Sequence, residues 1–140
     1  MAYGRDLVGS ARRHLAAAVL LHVQDRPSHS SGDKAVAGYL FGLAGELALK
    51  EMMRDSGMRE LAVSQRREDP FYAHFPDIKA LLRDHAAGRR HGELLKYANN
   101  TSLFQHWDTD MRYAPTRDVS DAWTQRWKSQ AENLVSNMDL

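Results

Sequence analysis

Apolar residues return at helical spacing in five stretches of this 140-residue chain, and no stretch alternates in the two-residue rhythm of a strand. Leu7, Ala11, Leu15, Ala18 and Leu21 or His22 predict a first helix over about residues 5 to 24. Pro27 and the serines and glycine around it break that helix with turn chemistry, so residues 25 to 32 read as a loop and not as a linker between domains. A serine there, or Asp33, is suited to cap a second helix over about residues 33 to 55. This helix points Val36, Leu40, Leu43, Leu47 and Met52 or Met53 toward a core, and Gly38, Gly42 and Gly45 leave notches along it. A glycine inside a helix costs roughly 1 kcal/mol relative to alanine. Three of them predict that another helix packs closely on the bare backbone, which makes this the central helix. Ser56 and Gly57 end it, with Gly57 suited to a left-handed C-cap.

Residues 58 to 73, with Arg66, Arg67, Glu68, Asp69 and Pro70, form the most polar tract and read as a mobile loop, with or without a short helical turn; a loop of this length is often functional or disordered, and the sequence does not decide which. A third helix is expected from near Pro76 to Gly88, with Ile78, Leu81, Leu82 and His85 as its stripe. The fourth runs from about residue 90 to 107 on Leu94, Tyr97, Ala98, Thr101, Phe104 and Trp107, with residues 99 to 102 poor enough in helix formers to kink or split it. After a connection over residues 108 to 117, Val119, Ala122, Trp123, Trp127, Ala131, Leu134, Val135 and Met138 predict a last helix over about 120 to 137, its acidic start matching the helix dipole. The expected fold class is all-α, a single-domain bundle of about five helices over residues 1 to 140.

Composition narrows the function classes. At 140 residues the chain buries enough surface to fold without a metal or disulfide, and it contains no cysteine, which removes disulfides, thiol catalysis and thiolate metal sites together. Nineteen basic against 18 acidic residues leave a net charge of +1, no electrostatic argument for nucleic acid. The longest apolar run, residues 15 to 21, is far short of a membrane span, and Arg5 and Asp6 precede any apolar run, so no membrane association, no secretory signal and a cytoplasmic location are expected. The seven histidines are too scattered for metal spacing; neither a metal nor another cofactor is expected.

The candidate chemistry lies on the second helix. Glu46 and Lys50 stand one turn apart among Leu43, Ala44, Leu47, Ala48 and Leu49, so the pair is half-buried at least and asks for further hydrogen bonds. Arg112 is the natural partner of Glu46, because a guanidinium holds a carboxylate bidentately. His74, at the expected start of the third helix, and Tyr113, beside Arg112, complete a set that reads as a structural network or a small-ligand site. Trp107, Trp123 and Trp127 are read as core or as a dimer seam, with stacking on a nucleobase as the sharper alternative.

The run from Gly38 to Lys50, preceded by Leu15-Ala16-Ala17-Ala18 and followed by His74 with Asp77-Ile78 and Leu81-Leu82, and then by Arg112-Tyr113-Ala114-Pro115, resembles the HEPN superfamily of helical bundles over roughly residues 5 to 138. The resemblance implies a four- or five-helix bundle, frequent homodimers and a setting in bacterial defence or toxin and antitoxin systems. Active members are metal-independent ribonucleases whose signature is an arginine, four to six residues, and a histidine near the start of a late helix. Here only Arg67 with His74 has that spacing, and both stand in or beside the polar tract, the wrong place for the element. The expectation is therefore a non-catalytic HEPN-like protein that binds another protein, a toxin or a second copy of itself. A metal-independent ribonuclease and a nucleotide sensor remain as alternatives.

Overall fold

The computed structural model describes residues 4–24, 33–86 and 91–139. Among them all regular structure is helical: α1 (Leu7–Gln24), α2 (Asp33–Asp55), α3 (Asp77–His85), α4 (Gly92–Ala98) and α5 (Asp121–Asn137), with 3-10 turns at Val63–Glu68, Pro70–Tyr72, Thr109–Tyr113 and Thr116–Asp118. The starts of α1 and α5 follow from capping. Asp6 accepts the Gly9 amide at 2.9 Å, and Ser120 Oγ accepts the Trp123 amide at 3.1 Å, so each carboxylate or hydroxyl satisfies a donor the first turn leaves open. The expected loop over residues 25 to 32, its caps and the expected stop at Gly88 lie outside the described residues; α3 itself ends at His85, three residues short of Gly88.

α2 is the central helix, with α1 and α5 packed along it. Its innermost residues are Ala37, Phe41, Ala44, Ala48, Leu49 and Met53, all fully buried. Of the expected core stripe, Leu40, Leu43, Leu47 and Met52 are only partly buried and Val36 is 48% exposed. The small residues face inward because large rings fill the space beside them. A Cβ on Gly42 would stand 2.0 Å from Trp107 Cε2, one on Gly45 2.5 Å from Phe104, and one on Gly38 2.9 Å from Trp127. The three notches thus receive aromatic side chains and not, as the glycines alone suggest, a neighbouring helix backbone.

Two of those rings come from a segment expected to be helical. α4 stops at Ala98, and residues 99 to 106 form an irregular turn in which Phe104 (φ 50°) and His106 (φ 71°) are left-handed. Such backbone costs energy for residues with a Cβ and persists where its surroundings determine it. Here α3 and α5 do so: Lys79 Nζ donates to the carbonyls of Asn100 and Leu103, Arg83 to that of Ala98, and Gln130 accepts the Phe104 amide at 2.9 Å while donating to the Ser102 carbonyl at 2.8 Å. Trp107 and Trp127 are interior residues, 2% and 1% exposed, whose indole N–H groups donate to the carbonyls of Gly38 and Gln105 at 3.0 Å each. They are core and are closed to a dimer seam or a nucleobase; Trp123 is half-buried and stacks on His106 at 4.3 Å between ring centroids.

Within residues 58 to 73, read from the sequence as a mobile loop, two 3-10 turns form and fixed contacts tie the tract to itself and to α1. Asp69 is 1% exposed, and its carboxylate accepts the amides of Leu61 at 2.8 Å and Phe71 at 2.9 Å, stapling the two ends of the tract. Tyr72 carries Arg66 over its ring at 4.5 Å, and its hydroxyl joins Arg5 and Glu60 in a closed set of hydrogen bonds.

Candidate functional site

Glu46 lies one turn before Lys50 on α2, and both are drawn inward by the apolar residues around them, with side chains 4% and 10% exposed. Two charges so far from water need partners of opposite sign. Lys50 Nζ donates to Glu46 Oε1 at 2.7 Å, and the His74 Nδ1 lies 2.8 Å and 3.0 Å from the two carboxylate oxygens. His74 reaches Glu46 because Phe75, its neighbour, is buried against Phe104 and Trp107, with ring centroids at 4.8 Å and 6.4 Å. The aromatic anchor thus sets the histidine over the carboxylate. Since a carboxylate only accepts, Nδ1 carries the proton and the other ring nitrogen is left free of hydrogen bonds among the described residues.

The expected pairing of Glu46 with Arg112 does not form. The 3-10 turn that carries Arg112 docks beside Ala35, Val36 and Tyr39, and Tyr39 precedes Glu46 by seven residues, about 10 Å along the helix. Arg112 is exposed and lies over the ring of Tyr113 at 4.9 Å, and Tyr113 is itself 76% exposed. Of the five polar residues singled out in the sequence, the structure therefore joins three, Glu46, Lys50 and His74, and sets two apart.

The His74 side chain is 54% exposed and lines a surface cleft of about 250 Å³ with Arg66, Arg67, Asp77, Asp108 and Thr109 among its walls. The hydrogen bond to Glu46 raises the His74 pKa above the usual 6.5, against burial and the charges of Lys50 and Arg112, which lower it. A raised folded-state value means that the tie stabilises the native state most below pH about 6.5 and that this contribution fades as pH rises through the folded-state pKa. An NMR titration should place His74 above the value of an exposed histidine, and Glu46→Gln should bring it down. An unchanged titration in that variant would mean that the carboxylate does not hold the ring.

A second polar cluster escaped the sequence. Glu51 is 6% exposed and takes a bidentate contact from Arg54, whose pKa it raises by hydrogen bond and charge; with Arg5, Arg59 and Glu60 it rims a cavity of about 880 Å³. Arg5 and Glu60 stand 55 positions apart, a pairing no local spacing announces. Asp69-Pro70 did carry a signal, an acidic cap before a proline at the first helical position. No group of three or more histidines, aspartates and glutamates fit to hold a metal occurs among the described residues, and none of their helices is long and apolar enough to cross a membrane. Comparison of the chain with protein-family models, curated proteins and solved structures finds no match.

Proposed function

We propose that this chain is a cytoplasmic, non-catalytic, HEPN-like binding protein of a bacterial defence or toxin-type system, acting through protein–protein contact, as an immunity or antitoxin protein that blocks a toxin nuclease would. The observation that carries this reading is the outer face of α1. Ala16, Leu20 and Val23 recur there within one helical stripe, all exposed, with Leu20 at 58% and Val23 at 62%, and Ala17 borders them. Scattered apolar residues on a surface are ordinary, but a stripe of them along a helix whose other side packs on α2 is the shape a partner helix reads.

The test is the mass of the protein in solution and in complex. Sedimentation equilibrium is expected to report a dimer, or a one-to-one complex with a toxin encoded beside it, and Leu20→Asp with Val23→Asp to weaken that association at least about tenfold while leaving the helical circular dichroism unchanged. A strictly monomeric chain with no stoichiometric partner would remove the basis for the proposal.

One observation favours a second reading, a metal-independent ribonuclease or a nucleotide-sensing protein. Glu46 orients His74 with one ring nitrogen free, and Arg67 lines the same cleft, so a proton-handling group and a cation stand beside one cavity. Cleavage of RNA in the presence of a metal chelator, abolished by His74→Ala, would favour the nuclease over the binding protein. Thermal stabilisation by a nucleotide, lost in the same variant, would favour the sensor.

A further inference from the structure

We infer that the shallow cavity between the 3-10 turn Val63–Glu68 and Tyr72 binds a phosphate monoester on a partner protein, a phosphorylated serine or threonine held by Arg66 and Arg67. The cavity measures about 540 Å³ and is lined by Val63, Ser64, Arg66, Arg67 and Tyr72. Two cations stand in that wall, and no carboxylate does. Both arginines are exposed, and neither has a hydrogen bond or an ion pair among the described residues; Arg66 lies over the Tyr72 ring at 4.5 Å. The carboxylates of the neighbourhood are engaged or lie elsewhere. Glu60 accepts from Arg5 and from the Tyr72 hydroxyl, and Asp69 is buried on the amides of Leu61 and Phe71. Asp77 and Asp108 line the His74 cleft and not this cavity, and Glu68 lines neither.

The backbone that carries the two arginines is set before any ligand arrives. The Gln65 amide donates to the Ala62 carbonyl at 2.8 Å and the Asp69 amide to the Arg66 carbonyl at 3.2 Å, while the Tyr72 hydroxyl is tied to Arg5 and Glu60. A fixed frame lowers the ordering cost of binding. Two adjacent guanidiniums match a group with close to two negative charges and three acceptor oxygens, which a phosphate monoester has at neutral pH. A carboxylate or a phosphodiester would leave one guanidinium unanswered. Arg66 and Arg5 both lie over the Tyr72 ring, at 4.5 and 5.1 Å, and occupy the stacking surface a nucleobase would use. Val63, 74% exposed beside them, offers a resting place for an apolar residue of a bound peptide. These features favour a phosphorylated side chain over a nucleotide. The inference goes beyond the proposed function and holds whether or not the α1 face seats a partner.

The probe is an end-capped, alanine-rich pentapeptide with a central phosphoserine, titrated into the full chain at low salt while the arginine Nε–H signals are followed by NMR. Saturation at one site per chain is expected, with affinity falling as salt rises. The unphosphorylated peptide and dimethyl phosphate should not saturate the site, and adenosine 5′-monophosphate should bind no tighter than inorganic phosphate. Arg67→Gln, at a side chain with no hydrogen bond or ion pair in the fold, should weaken phosphopeptide binding about tenfold or more with the circular dichroism unchanged. Arg66→Gln should do the same. His74→Ala should leave the affinity within about twofold, which separates this cavity from the cleft that the nuclease and nucleotide readings use. No saturable phosphopeptide binding, adenosine 5′-monophosphate binding tighter than the phosphopeptide, affinity unaltered in both arginine variants, or affinity lost in His74→Ala would each overturn the inference.

Discussion

Trp107→Ala should cost about 3–5 kcal/mol of unfolding free energy, because the indole is fully enclosed and its removal opens a cavity beside a helix that has no side chain to lean into it. For a chain of this size the melting temperature would fall by roughly 10–20 °C. The complementary change is Gly42→Ala. A Cβ there stands 2.0 Å from the ring, so the indole must move; overpacking of this kind costs about 1–3 kcal/mol, more than the roughly 1 kcal/mol that alanine gains as a helix former. In the double variant the new methyl enters space that the indole has left, and the two losses should sum to clearly less than their separate values. Strict additivity in urea unfolding would show that the notch and the ring do not determine each other.

Glu46→Gln should be nearly as damaging, at about 3–5 kcal/mol, although it changes one atom. It leaves Lys50, with a side chain 10% exposed, holding a charge with no counter-ion, and removing one member of a buried pair is the costly way to break it. Adding Lys50→Met to that variant should restore part of the loss, since an apolar side chain of similar length needs no partner there. A cost under about 1 kcal/mol for Glu46→Gln would mean that Lys50 reaches water by another route. The two results separate the contributions along one stripe of α2: rings set into the glycines at 38 and 42, and a desolvated ion pair at Glu46 and Lys50 in the turns that follow.

Much of the helical order was legible because it rests on local signals. The bounds of α2 and α5 follow from the spacing of apolar residues and fall where expected, while the Ser120 cap that starts α5 emerges in the structure. What failed to show did so for a common reason. The end of α4 at Ala98 depends on Lys79, Arg83 and Gln130 gripping a turn from other helices, and the left-handed Phe104 and His106 have no mark in a sequence that offers no glycine there. Likewise the burial of Glu46 and Lys50 was readable from their neighbours, while the choice of His74 over Arg112 was decided by where Phe75 is anchored. Long-range packing selects among partners that short-range chemistry makes equally acceptable.

The Asp69 carboxylate has a bearing on how this domain tolerates insertion and loss of chain. Trimming the polar stretch between Leu61 and Phe71 looks harmless on paper, since most of its side chains are exposed. Both ends, however, hang from a single desolvated anion. Shortening the span would strand that charge in the interior, so the fold tolerates lengthening at Ser64 to Arg67 while excision is closed.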